Sequence, residues 1–249
     1  MTESVPVCLI LLAGKDAAEP SRFEADVEEE GRRLRSAAGA SGAVTVAFSL
    51  LRASTRSSQP GLDLSALDGL ATTGLPPSLG TPIDTFDAVL EIRGQVQERW
   101  DVLLGELAGR LPSIEVGRSH VAAGQEYVVN AGEAPVRVFY CLKRTPDRTP
   151  ENFSKEWLEG LTKHTSHTPG MSGYRQLHLD RLCTSLAGEA AGTAAHDFDG
   201  VALEWYDDLP FLLSAIDWVS EPGSAAAAAE QSLIDFSSAR AMLAVNRTA

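Results

Sequence analysis

Two stretches of the chain place large and small residues at the same helical spacing, which indicates an internal repeat. In each stretch four residues recur at intervals of four, four and three positions: Phe23, Val27, Gly31 and Leu34, and then Phe153, Trp157, Leu161 and His164. Such intervals align side chains along one stripe of a helix. A strand-like run of Phe, Asp, a small residue and Val also occurs twice, beginning at Phe86 and at Phe198. A repeat of this length constrains the fold strongly, because one structural unit must account for both copies.

The segments around the two helical stripes predict the same order of elements in each copy. The first copy is predicted to contain a strand at 5–13, a helix at 22–37, strands at 43–52 and 85–91, a helix at 95–111 and a strand at 113–121. The second is predicted to contain a strand at 136–142, a helix from Pro150, strands at 172–179 and 197–204, a helix at 207–218 and a strand at 239–246. Each copy therefore predicts the order βαββαβ, which is a ferredoxin-like unit.

A single unit of this kind leaves one face of its sheet uncovered, because both helices pack on the other face. Two copies in one chain can bury their open faces together as a barrel. We therefore predict an α+β fold in which two ferredoxin-like βαββαβ repeats form a pseudo-dimeric α/β barrel. The N-terminal repeat is expected at 1–130 and the C-terminal repeat at 131–249. Segments rich in Gly, Ser, Pro and Ala at 54–82 and 182–195 are predicted to be mobile loops.

The second copy has the clearer local signals. Thr149 followed by Pro150 predicts a helix start, with Thr as the cap and Pro in the first turn. In the strand that follows this helix, alternation places Tyr174, Gln176 and His178 on one face. Because that face is polar and the other is apolar, we expect the polar face to line the barrel and the apolar face to meet the helices.

The second copy resembles the EthD family over roughly residues 135–247. The resemblance rests on Lys143-Arg144 before a proline-containing turn, Phe153 with Trp157 four positions later, Pro169-Gly170, and the pattern Tyr174-x-x-x-His178. Members of that family have ferredoxin-like α/β folds that associate as dimeric α/β barrels. The family usually carries a histidine four residues after the Trp position, where this chain has Leu161, and His164 lies one helical turn further on.

The resemblance implies a small apolar or aromatic ligand in the barrel and an enzyme that works without a nucleotide cofactor. The expected reaction class is proton transfer that drives dehydration, cyclisation or isomerisation. The expected catalytic residues are His178 as base, Tyr174 as its partner, and Glu204, since an imidazole between a tyrosine and a carboxylate exchanges protons near neutral pH. The expected ligand-binding residues are Phe139, Cys141, Gln176, Tyr206 and His164. The alternative for His178 is a strand histidine that is only hydrogen-bonded inside the barrel.

Two other function classes stay open. Leu161, in place of the family histidine, favours a non-catalytic ligand-binding or accessory protein. His164 and His167, three positions apart, also allow a haem or metal protein together with His178 or His196, although the helix dipole equally favours histidines at a helix end. No cofactor and no metal ligand set are predicted, because the chain contains no dinucleotide-binding glycine pattern, no P-loop and no His-Glu-x-x-His.

Charge and cysteine content narrow the choice of partners. The formal net charge of −13 argues against nucleic acid and against anionic membrane, because both bind basic surfaces. The apolar run at 5–13 lacks the basic residues that begin a signal peptide. Three cysteines without metal-type spacing fit a reducing compartment. We therefore expect a cytoplasmic protein that binds a small molecule, with homo-oligomer formation left open.

Overall fold

The structure is a computed structural model that describes residues 4–15, 19–39, 44–50, 81–82, 86–94, 100–165, 167–221 and 223–245. The ten strands of these ranges form one large, mainly antiparallel sheet. They are β1 (Ser4–Leu12), β2 (Val44–Leu50), β3 (Thr81–Pro82), β4 (Ala88–Gly94), β5 (His120–Ala131), β6 (Val136–Leu142), β7 (Met171–Leu179), β8 (Ala194–Ala195), β9 (Gly200–Tyr206) and β10 (Arg240–Val245).

The helices lie mainly between these strands. They are α1 (Pro20–Gly39), α2 (Trp100–Leu104), α3 (Leu107–Arg110), α4 (Pro150–Glu156), α5 (Thr162–Thr165), α6 (Arg181–Ala191), α7 (Leu209–Ser220) and α8 (Ala225–Leu233). A π-helical stretch, Trp157–Leu161, joins α4 to α5, and a 3-10 turn, Val116–Arg118, precedes β5. Among the helices of the described ranges, none has both the length and the apolar character needed to cross a membrane.

The sheet has the same strand order in its two halves. The order is β2-β4-β1-β5 in the first half and β7-β9-β6-β10 in the second, and β5 pairs with β7 in antiparallel fashion to join them. In each half, the first and third strands along the chain therefore lie side by side in the middle. Residues of β10 also approach β2, at the other end of the order. The α+β class and the large antiparallel sheet agree with the prediction, whereas a pseudo-dimer of two repeats, at 1–130 and 131–249, stays a prediction.

Three apolar clusters hold the helices and the sheet together. The first packs α1, α2 and α6 against the sheet of the first half, through residues such as Ile10, Val27, Leu34, Leu103 and Ala187. The second packs the helices of the second half, through residues such as Val138, Trp157, Tyr174, Leu212 and Leu233. The third lies on the other face of the sheet and contains Leu9, Val89, Phe139, Leu203 and Trp205. Because the third cluster draws on both halves, the face away from the helices is a second interior and not an open surface.

Helix α4 begins where the sequence predicts it. The Thr149 hydroxyl oxygen accepts the backbone N–H of Asn152 at 3.2 Å, and Pro150 stands in the first turn. This cap satisfies one of the N–H groups that a helix start leaves without an intrahelical partner. Phe153 and Trp157 are buried on the inner side of the helix, as their spacing predicts.

The segment at 182–195, which the sequence predicted to be a mobile loop, is mainly helix α6. Asp180 caps this helix by accepting a backbone N–H, and Gly192 ends it with a φ of 70°, a conformation that glycine adopts without strain. Thr184 donates its hydroxyl to the carbonyl oxygen of Ala123 at 2.9 Å and accepts the N–H of Ala123 at 3.0 Å. The small side chains that suggested a loop instead allow α6 to pack closely on β5.

Two predicted elements of the first half have different bounds in the structure. β5 is long, His120–Ala131, whereas the sequence predicted a strand that ends at 121 and a bridging segment at 125–133. The additional length pairs with β7. The helix predicted at 95–111 is present as α2 and α3, and its first residues lie outside the described part of the chain. The loop predicted at 54–82 lies outside it as well, apart from Thr81–Pro82.

Candidate functional site

The polar face of β7 turns toward the helices, which corrects its predicted placement inside the barrel. Tyr174 packs in the cluster beneath the helices of the second half, and Gln176 donates to the carbonyl oxygen of Trp157. Leu177, on the alternate face, packs in the cluster that both halves share. The prediction was wrong about the face because both faces of β7 are buried. Alternation shows which side chains share a face, but an apolar face suits either interior.

The other predicted site residues divide between the two faces. Phe139 and Cys141 lie on the inner face, as predicted. Tyr206 lies on the helix side, and it donates a hydrogen bond to Glu204 Oε2 at 2.9 Å. Glu204 stands directly opposite Tyr174 in the pairing of β9 with β7. The predicted catalytic residues therefore share the helix-facing side of the sheet, while Phe139 and Cys141 are on the other side.

A chain of hydrogen bonds runs along this helix-facing side. Ser154 Oγ lies 2.5 Å from His178 Nδ1, and His178 Nε2 lies 3.1 Å from Gln176 Oε1. Gln176 Nε2 donates to the Tyr174 hydroxyl oxygen at 3.0 Å, and the Trp157 indole N–H donates to the same oxygen at 3.0 Å. Because the Gln176 nitrogen is the donor, its oxygen accepts the Nε2–H of His178, which leaves Nδ1 to accept the Ser154 hydroxyl proton. This order requires a neutral imidazole.

The surroundings of His178 also keep it uncharged. Its ring stacks on Trp157 with the ring centroids 4.5 Å apart, and Tyr127 meets it edge-on at 4.9 Å. Burial lowers the pKa of His178 to about 4. A histidine with this pKa is neutral at pH 7 and is a weak base.

We expect Tyr174→Phe to lower the free energy of unfolding in urea by about 1–3 kcal/mol, because it removes the acceptor of the buried Trp157 N–H. Tyr127→Phe is the matched control. Tyr127 is half-buried and contacts His178 through its ring, so losing its hydroxyl should change stability by less than about 0.5 kcal/mol. Equal losses in the two variants would contradict the hydrogen-bond chain.

A second polar group lies where β6 and β9 meet α7 and α8. It consists of Tyr140, Glu204, Tyr206 and Glu230, which we call the carboxyl cluster. These residues line a cavity of about 30 Å³, enough for a water molecule. Apolar side chains from α7, including Leu212 and Ile216, close its other side.

Both carboxyl groups of the carboxyl cluster hold their protons more strongly than they would in water. Burial raises the pKa of Glu204, against the hydrogen bond from Tyr206, which lowers it. Burial, followed by the charge of Glu204, raises the pKa of Glu230 to about 8. Burial and the nearby carboxylates also raise the pKa of Tyr140 and of Tyr206. Two carboxyl groups with displaced pKa values beside one cavity are typical of acid–base sites.

The inner face of the sheet carries a buried set of ions, which we call the inner ion network. Its members are Glu91, Arg93, Glu126, Arg137 and Arg175. Arg137 Nη2 of the second half donates to Glu91 Oε2 of the first half at 2.8 Å. The Arg137 guanidinium lies over the rings of Phe139, at 4.3 Å, and Trp205, at 4.4 Å. Side chains and ion pairs therefore fill this face, where the sequence placed the ligand.

The histidines are spread over several surroundings. His164 lines a surface cleft of about 640 Å³ with Leu161 and Leu233, and His167 is exposed. In the described part of the chain, neither is a member of the hydrogen-bond chain of His178. Within the described ranges, no three His, Cys, Asp or Glu side chains come together in an arrangement that could hold a metal ion.

Comparison with known proteins identifies the fold. No protein-family model and no curated protein matches this chain. An anthrone oxidase-like protein of solved structure matches with a TM-score of 0.56 and 11% identity over 99% of this chain and 94% of its own. A chlorite dismutase variant from Candidatus Nitrospira defluvii matches with a TM-score of 0.51 and 12% identity, over 98% of this chain and 93% of its own. A proposed monooxygenase from Lactobacillus acidophilus NCFM matches with a TM-score of 0.50 and 10% identity, over 98% of this chain and 94% of its own. The chain therefore shares the α+β fold of these solved structures.

The shared α+β fold confirms the coarser part of the sequence prediction. The resemblance to the EthD family implied an α+β barrel fold, and the shared fold agrees with that expectation. The names of these three proteins do not mention EthD, so that finer assignment stays a resemblance. At identities of 10–12%, the shared property is the fold alone.

The sequence reasoning missed two residues of the helix-facing side. Ser154 follows the predicted helix start and carries no motif of its own. Glu230 had a signal in the sequence, because it stands at helical spacing with the apolar residues Ala226 and Leu233. The structure buries all three residues. A lone acidic residue on the buried stripe of an alanine-rich helix indicates a specific polar partner inside the protein.

Proposed function

We propose that this protein is an enzyme, independent of a nucleotide cofactor, that transfers protons on a small apolar or aromatic compound. The observation that carries the proposal is the carboxyl cluster, in which Glu204 and Glu230 share a small cavity with Tyr140 and Tyr206. The reaction class is a dehydration, cyclisation or isomerisation. We place the site between the sheet and the helices of the second half, and not in the inner face that the sequence favoured.

The roles follow from the proton affinities. Glu230, whose pKa burial and Glu204 raise to about 8, is mostly protonated at pH 7 and serves as the general acid. Glu204, which accepts the Tyr206 hydrogen bond, serves as the base. Tyr174 stands opposite Glu204 and begins the chain that runs through Gln176 and His178. In this proposal, the hydrogen-bond chain holds Tyr174 and His178 in place on the strand beside Glu204, and Ser154 is its half-buried end.

Substrate entry requires movement of the helices. A cavity of about 30 Å³ is roughly tenfold smaller than a usual small-molecule site. The cavity wall formed by α7 is apolar, so a displaced α7 would expose an apolar surface to the substrate. Phe211 of α7 is 45% exposed, so part of this helix faces solvent.

The proposal also covers the architecture. We propose that 1–130 and 131–249 are two ferredoxin-like repeats that associate as a pseudo-dimer, with the second resembling EthD proteins. The equal strand order of the halves and the apolar cluster that they share support this view. In the pseudo-dimer, the second repeat carries the carboxyl cluster, and the partner is a small molecule.

We expect Glu230→Gln to lower the proton-transfer rate by about 10²–10⁴-fold, because it removes the general acid without changing the shape of the side chain. The measurement follows deuterium incorporation into a panel of small aromatic ketones in D₂O by NMR. The wild-type rate should fall as the pH rises through about 8, where Glu230 loses its proton, and this limb should be absent in the variant.

Glu221→Gln is the matched control, since Glu221 is an exposed carboxylate at the end of α7. It should leave both the rate and the pH profile unchanged. Equal rates in the Glu230 and Glu221 variants would contradict the proposed acid.

A non-catalytic ligand-binding protein is the second candidate, and one observation favours it. Leu161 stands where the EthD family usually has a histidine, and it is buried in the apolar cluster at 4% exposure. If a panel compound binds in calorimetry, shows no deuterium incorporation and binds equally well to Glu230→Gln, this second function is supported.

A further inference from the structure

Helix α6 carries apolar side chains on the side that faces the solvent. Leu182 is 69% exposed and Leu186 is 49% exposed, and their spacing of four positions places both on one stripe of the helix. The opposite side of α6 is buried against the first half of the sheet through small residues, which are Thr184, Ala187, Gly188 and Ala191. The two leucines therefore take no part in holding α6 in place.

The neighbouring helix extends this apolar surface. Helix α2 packs beside α6, and its Val102 is 56% exposed. The described part of the chain has six exposed large apolar side chains, and Val102, Leu182 and Leu186 are half of them. A single exposed apolar residue is ordinary, whereas a group on adjacent helices is typical of a surface that binds another protein. We call these three residues the α6 patch.

Two exposed residues of opposite charge flank the leucines on α6. Arg181 is the first residue of the helix, and Glu189 lies in its last turn. They are about 12 Å apart along the helix axis, which is too far for them to pair with each other. Neither forms an ion pair with another residue of the described ranges. The carboxylate of Asp180, next to Arg181, accepts the backbone N–H of Cys183 at 2.8 Å as the helix cap.

This distribution of charge makes the exposed face of α6 complementary to itself. When two copies of α6 lie antiparallel about a two-fold axis near Ser185, the Leu186 side chains meet at the centre. The same symmetry places Arg181 of each copy beside Glu189 of the other, so the ion pair forms twice. The helix dipoles act in the same direction, because each Glu189 lies beside the N-terminal end of the other helix and each Arg181 beside its C-terminal end.

We propose that the α6 patch binds a second copy of this chain, in a two-fold dimer with antiparallel α6 helices. The net charge of −13 makes two copies repel each other in general, whereas the exposed face of α6 carries one charge of each sign. An apolar patch of so few side chains corresponds to a weak interface, so we expect a Kd of about 1–100 µM. The α6 patch shares no residue with the carboxyl cluster, so this proposal and the acid–base function can fail separately.

The test is sedimentation equilibrium of the full-length protein at concentrations on either side of the expected Kd. The wild type should sediment as a monomer and dimer in equilibrium. Leu186→Glu should raise the Kd by at least about tenfold, because it buries two carboxylates against each other near the axis. Phe211→Glu is the matched control. Phe211 is 45% exposed on α7, which packs on the second half, so this variant should keep the wild-type Kd.

Charge reversal tests the antiparallel arrangement itself. Arg181→Glu and Glu189→Arg should each raise the Kd by about fivefold or more, because each change sets like charges beside each other twice. The double variant should return the Kd to within about threefold of the wild type, since the pair is attractive again. Both residues are exposed, so all three variants should keep the thermal unfolding curve of the wild type.

Three results would overturn the proposal. The first is a wild type that stays monomeric at about 500 µM, well above the expected Kd. The second is a Leu186→Glu variant that dimerises as the wild type does, which would place any interface elsewhere on the surface. The third is a double charge-reversal variant that dimerises no better than the single variants, because Arg181 and Glu189 would then not meet across the two-fold axis.

Discussion

Glu91→Gln is expected to lower the free energy of unfolding by about 3–5 kcal/mol, which would be one of the largest effects of any single substitution in this protein. Glu91 is 1% exposed, and it holds Arg137 across the inner face and Arg93 on its own strand. The substitution preserves the shape of the side chain but leaves the charge of Arg137 buried without its partner. Urea unfolding followed by circular dichroism measures the loss.

The same ion pairs predict how stability depends on pH. Burial alone would raise the pKa of Glu91, but the charges and hydrogen bonds of Arg137 and Arg93 outweigh it and lower the pKa to about 2. A carboxyl group with a lowered folded-state pKa stabilises the protein above its unfolded pKa, near 4.5, and loses that contribution as the pH falls toward 2. The wild type should therefore lose about 3 kcal/mol through this group across that window, at 1.36 kcal/mol per pKa unit, and Glu91→Gln should not.

Glu29→Gln is the matched control for Glu91. Glu29 pairs with Arg32 on the surface of α1, where both side chains are more than half exposed, so its loss should cost less than about 1 kcal/mol. The double variant Glu91→Leu with Arg137→Met should recover most of the stability, because it removes both charges together. A double variant as unstable as Glu91→Gln would show that the packing of the inner face, and not the unpaired charge, caused the loss.

Gly124→Ala is expected to destabilise the protein by about 3 kcal/mol, because its Cβ has no room at the junction of the two halves. A Cβ at Gly124 would overlap the backbone carbonyl group of His178 and would lie 2.8 Å from the Cα of Leu179. Backbone atoms of a paired strand cannot move aside as a flexible side chain can. Hydrogen exchange should show lost amide protection along β5 and β7, which form this junction.

Gly109→Ala is the control with the same chemical change. Nothing lies within 4 Å of a Cβ at Gly109, which is exposed on α3. Alanine is favoured over glycine in a helix by about 0.5–1 kcal/mol, so this variant should be equally stable or slightly more stable than the wild type. If both alanine variants unfolded at the same urea concentration, β5 and β7 would not approach each other as closely as the structure shows.

Sequence patterns predicted the structural features that interactions between neighbouring residues determine. The start of α4 follows from Thr149 and Pro150, because a cap and a proline act within one helical turn. The alternation in β6 correctly separated Val138 and Tyr140 from Phe139 and Cys141, since neighbouring side chains of a strand point to opposite faces.

Structural features that depend on distant parts of the chain could not be predicted from local sequence patterns. Which face of β7 meets the helices depends on the second interior, because an apolar face fits either one. Glu91 and Arg137 are 46 positions apart, and neither carries a motif that announces a buried ion pair. Helix α6 was mistaken for a loop because its alanines and glycines matter only through the strand β5 on which they pack.

The pairing of β5 with β7 inside one chain has a consequence for how this protein can vary. In a symmetrical dimer of identical chains, every contact across the interface occurs twice, so a mutation at one position acts at two places. Here the junction that contains Gly124 and the edge where β10 approaches β2 have different sequences. A substitution of Gly124 therefore changes the junction of β5 with β7 and leaves the edge between β10 and β2 as it was. Dilution does not separate the two halves either, because the polypeptide itself sets their local concentration.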